Sequence, residues 1–148
     1  MGTYWAVVKE LVQEALNIGI QNWEEMLRNV AFTNACKCLT DSNTLQWFLH
    51  QECFAQAYLE QEILAVAAPL NVLFTRSYAL SERLYPGRAI MLETTDEFAV
   101  QKIDDQVIIE CAHPERQSHE WRARLKALMG QYLGNAEHTA PPDASGAR

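Results

Sequence analysis

From Asp41 to Ala68 the chain runs without a glycine or a proline, and its apolar residues fall on two opposite sides of a helix. Leu45, Phe48, Leu49, Leu59, Ile63 and Val66 repeat along one side at about 100° per residue, and Trp47, Phe54, Tyr58 and Ala65 along the other. A helix of roughly seven turns that is apolar on both sides cannot lie at a surface with one face in water. It is either the central helix of its domain or a helix whose second face meets another subunit. Everything else in the chain has to supply, or fail to supply, the layers that cover it.

Two amphipathic helices are predicted before this run. Trp5, Val8, Val12, Ala15 and Leu16 share a stripe opposite Glu10, Gln13, Glu14 and Asn17, with a stop near Gly19. Asn22 and Glu25 then have the spacing of a capping box, and Trp23, Met26, Leu27 and Val30 continue a second helix to about Cys36. After the long run, Pro69 sits where a helix can start, and Leu70, Leu73, Phe74, Ser77, Leu80 and Leu84 keep helical period up to Pro86-Gly87. This gives a fourth helix, with a strand over 70–75 as the main alternative.

Beyond Pro86-Gly87 the period changes to two. RAIMLET, EFAVQKI and QVIIEC are separated by Thr95-Asp96 and Asp104-Asp105, which predicts a three-stranded antiparallel meander. With one covered face it would bury Ile90/Leu92, Phe98/Val100 and Val107/Ile109. A last helix follows His113-Pro114 on the stripe Trp121, Leu125, Leu128, Met129 and Tyr132, with Gly134 as its stop. The expected class is therefore α+β: about four N-terminal helices, the meander and a C-terminal helix. The expected organisation is one globular domain over 1–134 and a disordered tail over 135–148, since NAEHTAPPDASGAR has almost nothing to bury.

Charge narrows the partners. The 148 residues carry a formal net charge of −7, and only the stretch 113–133, with Arg116, Arg122, Arg124, Lys126 and His119, has a positive balance. Because affinity for nucleic acids comes mainly from Lys and Arg neutralising phosphates, nucleic acid is not an expected partner, and anionic membranes are disfavoured for the same reason. The basic stretch reads as a solvated helix face or as a surface for the acidic part of a partner subunit. No apolar run reaches the length of a membrane span, Lys9, Glu10, Gln13 and Glu14 interrupt the first segment, and Ala6 stands where myristoylation prefers Ser or Thr. A cytoplasmic location with reduced cysteines is expected.

Cys36, Cys38, His50 and Cys53 are numerically sufficient for zinc, and Cys111 with His113 offers a further pair. None of these has the compact knuckle spacing that marks a zinc site, and cysteine is common in cores, so no metal and no cofactor are expected. Cys111 and His113 lack an orienting third group and an oxyanion donor, and the chain has no nucleophile elbow, phosphate loop or metallopeptidase motif. Nothing in the pattern points to catalysis. Glu52, Gln56 and Glu60 recur every four residues within the leucine side of the long run, either as a solvated strip or as carboxylates in a pocket, and Arg76 and Arg83 could pair with them. Trp47, Phe54 and Tyr58 read as core, as a partner surface or as the wall of an apolar pocket.

The expected function is a non-catalytic cytosolic regulatory or protein-interaction domain that self-associates as a homodimer, with Trp47, Phe54 and Tyr58 at the contact and Glu52 and Gln56 as further interaction or pocket residues. The alternative is a domain that senses a small apolar ligand between helices and sheet. A third reading follows element order alone: a winged helix-turn-helix with the fourth helix, bearing Arg76, Ser77, Ser81 and Arg83, in the major groove. Its wing tip would carry Glu93, Asp96 and Glu97, which phosphates repel.

Overall fold

The computed structural model of the protein describes residues 3–33, 57–76, 83–114 and 117–136. Among these residues lie four helices, α1 (Thr3–Ala15), α2 (Trp23–Asn29), α3 (Tyr58–Val66) and α4 (His119–Ala136), and four strands, β1 (Leu70–Leu73), β2 (Ile90–Thr94), β3 (Phe98–Ile103) and β4 (Gln106–Cys111). The strands form one sheet in the order β1-β4-β3-β2. β2, β3 and β4 pair antiparallel, as the period of two predicts, whereas β1 lies parallel to β4 with Leu70 opposite Val107 and Leu73 opposite Glu110.

That parallel strand replaces the first turn of the expected fourth helix, and the strand alternative over 70–75 is the one realised. The misleading feature is that Leu70, Leu73 and Phe74 are all packed inward, although from a strand: Leu70 and Val72 join the core on one face of the sheet and Leu73 joins the core on the other. A short strand covered on both sides gives apolar residues at i, i+3 and i+4, which periodicity cannot tell from a helix. Pro69 precedes the strand, and its carbonyl accepts the Val107 N–H at 2.9 Å, which starts the pairing with β4.

Coverage of both faces also corrects the burial expected of the meander. Phe98, Val100, Val107, Ile109 and Cys111 pack with Val7 and Leu11 of α1 and with Trp121, Leu125 and Met129 of α4. On the opposite face Ile103 and Ile108 pack with Leu59 and Ile63 of α3 and with Leu84 and Tyr85. Ile90 and Leu92, expected inside, are 64% and 44% exposed, because β2, unlike the other edge strand β1, lies outside both cores. The register shifts between Met91 and Glu93, a bulge of the kind that bends an edge away from further pairing.

Helix limits follow local chemistry. Asn22 caps the helix as spaced, its Oδ1 accepting the Glu25 N–H at 3.0 Å, while Glu25 Oε2 reaches past the cap residue to accept the Gln21 N–H at 2.6 Å. The second helix nevertheless ends at Asn29, seven residues before Cys36, where Val30 turns extended. The long run from Asp41 to Ala68 is not one helix, since Ala57 has φ 52° and α3 starts afresh at Tyr58. Ala67, with φ 51°, closes it, and its N–H donates to the Ile63 carbonyl at 3.0 Å. At the other end of the chain Ser118 Oγ caps α4 by accepting the Trp121 N–H at 3.1 Å. α4 passes Gly134, its expected stop, and ends at Ala136, because a glycine only weakens a helix that other residues hold. No helix among the described residues is long and apolar enough to cross a membrane.

Candidate interaction surface

α3 has two unlike faces. Leu59 and Ile63, four residues apart, are buried against the sheet. Glu60 joins them as a clip: its Oε1 accepts the Tyr85 N–H at 3.0 Å and its carbonyl accepts the Tyr85 O–H at 2.9 Å. Burial, and then the charge of Glu60, push the Tyr85 phenol above its ordinary value. The side away from the sheet holds Tyr58 and Leu64, 45% and 42% exposed, together with Ala65. Val66 shares the stripe of Leu59 and Ile63 but is 55% exposed, as the last residue of the helix.

A second group of apolar side chains adjoins that face. Thr33 Oγ1 donates to Glu62 Oε2 at 2.5 Å, which ties the segment leaving α2 to the row Tyr58, Glu62 and Val66 on α3. Phe32, next to Thr33, stacks on Trp23 with ring centroids 6.1 Å apart, and both stand nearly perpendicular to Trp5 at 5.0 and 4.8 Å. Leu27, one turn after Trp23, is exposed as well. The ring contacts thus join Trp5, Trp23 and Phe32, and the Thr33–Glu62 bond links the residue after Phe32 to α3. Trp5 anchors the group to α1, whose Val8 and Val12 pack with Ile20 and Met26.

On the α3 side of the sheet a polar cluster is buried. Glu110 is fully enclosed and accepts the Thr75 hydroxyl at 2.6 Å. Directly opposite it on β3 is Ala99, and two residues along is Gln101, also buried, whose Oε1 has no hydrogen-bond partner. Arg76, just past β1, reaches across to the β2–β3 turn and donates to the Thr95 carbonyl at 2.8 Å.

Of the residues singled out from sequence, Tyr58 lies on the exposed face of α3 and Glu60 forms the clip to Tyr85. Trp47, Glu52, Phe54, Gln56, Cys36, Cys38, His50 and Cys53 lie outside the described residues, as do Ser77, Ser81 and Arg116. Cys111 is a core residue beside Phe98 and Trp121, and burial pushes its thiol far above the ordinary range. His113 is exposed and stacks on Tyr4 at 4.8 Å. The basic stretch meets acidic groups of its own chain: Lys126 donates to Glu10 and Glu14 of α1 at 2.7 Å each, and Arg124 pairs with Glu97 at 2.6 Å. Leu27, Phe32, Thr75, Gln101 and Glu110 were not foreseen as site residues. Gln101 and Glu110 read as the wet side of one-faced strands, and the missing signal was the second covered face. Compared with protein-family models, curated proteins and solved structures, the chain matches none.

Proposed function

We propose that the protein is a non-catalytic interaction domain that pairs with a second copy of itself through the outward face of α3. The observation that carries this reading is the exposure of Tyr58 and Leu64 on a helix whose opposite face, with Leu59 and Ile63, is already buried in the core. Phe32 and Leu27 extend the apolar area beyond one helix, and apolar patches of this kind favour association. Two-fold pairing closes such a surface most simply, because each copy offers the same patch to the other. Regulation is the natural role of a domain that acts by assembling.

A second reading rests on Gln101. Its enclosed amide oxygen, beside the Glu110 carboxylate, supports a small ligand held between α3 and the sheet, since buried polar atoms ordinarily have partners. Native mass spectrometry of the purified full chain separates the two. Dimer ions near twice the 16.8 kDa chain mass, without an adduct, are the expected result. Monomer ions carrying one stoichiometric small molecule would favour the ligand, and bare monomers would refute both.

A further inference from the structure

We draw no further inference here: the strongest candidate, the exposed apolar edge strand β2 with Ile90, Met91 and Leu92, carries nothing because its bulge between Met91 and Glu93 opposes pairing with another strand and nothing in the structure shows what covers it.

Discussion

Lys126 concentrates the electrostatics of the fold in one side chain. Hydrogen bonding to Lys126 holds the Glu10 carboxyl below its ordinary value, and the bonds to Glu10 and Glu14 hold the Lys126 ammonium above its own. The contribution of Glu10 is therefore complete above the unfolded carboxylate range, about pH 4.3, and is lost as pH falls through the lower folded value. That of Lys126 is complete below about pH 10.4 and is lost as pH rises through the higher folded value. Both carboxylates are about half exposed, so solvent screening keeps the cost of Glu10→Gln to about 0.5–1 kcal/mol at pH 7. Urea unfolding should show that deficit at pH 7 and its shrinking as pH falls below the ordinary carboxylate range; a deficit unchanged by acid would show that Glu10 acts through packing. Cys111 makes a different prediction. Its buried, protonated thiol should resist alkylation at pH 8 until the chain unfolds, and peptide mapping that finds Cys111 labelled in the native protein at the rate of a free thiol would contradict its placement. Gln101→Met removes an unmet acceptor at nearly constant volume and should leave stability unchanged or raise it by up to about 1 kcal/mol. A loss above about 2 kcal/mol would mean that the amide is held by a partner.

Among the elements, α4 was the most legible and β1 the least. The stripe Trp121, Leu125 and Met129 is buried as its spacing predicts, because a single-faced helix writes its packing directly into a period of 3.6. Gly130 lies on the exposed side of that helix, and a Cβ there would meet nothing within 4 Å. Gly130→Ala should therefore stabilise the protein by about 0.5–1 kcal/mol, measured by thermal unfolding; a loss would show that the glycine serves a contact beyond the chain. The antiparallel strands were also readable, with β2, β3 and β4 bounded by the turns at Thr95-Asp96 and Asp104-Asp105. What misled was coverage. Ile90 and Leu92 alternate like buried residues yet sit on an edge, and Leu70 and Leu73 keep helical spacing while serving opposite faces of a sheet. Both depend on which layers lie above and below, and no local pattern carries that. Ala57 and Ala67 illustrate the same limit: nothing about an alanine announces a left-handed residue, which only the path of the chain on either side of α3 requires.

At the scale of the molecule, among the described residues α1 and α4 cover one face of the sheet and α3 lies on the other. That placement explains why its inward residues, Leu59 and Ile63, were legible as core while the fate of Tyr58 was open between core, pocket and partner. A helix that keeps Tyr58 and Leu64 in water leaves apolar area for a second copy to cover, and burying it returns roughly 25 cal/mol per Å² before the costs of association. Static light scattering on the wild type and on Tyr58→Glu/Leu64→Glu tests this most directly, with circular dichroism to show that the variant is folded. The expected masses are twice 16.8 kDa for the wild type and 16.8 kDa for the folded variant. A wild type that stays at 16.8 kDa at high concentration, or a folded variant that remains a dimer, would contradict pairing through this face.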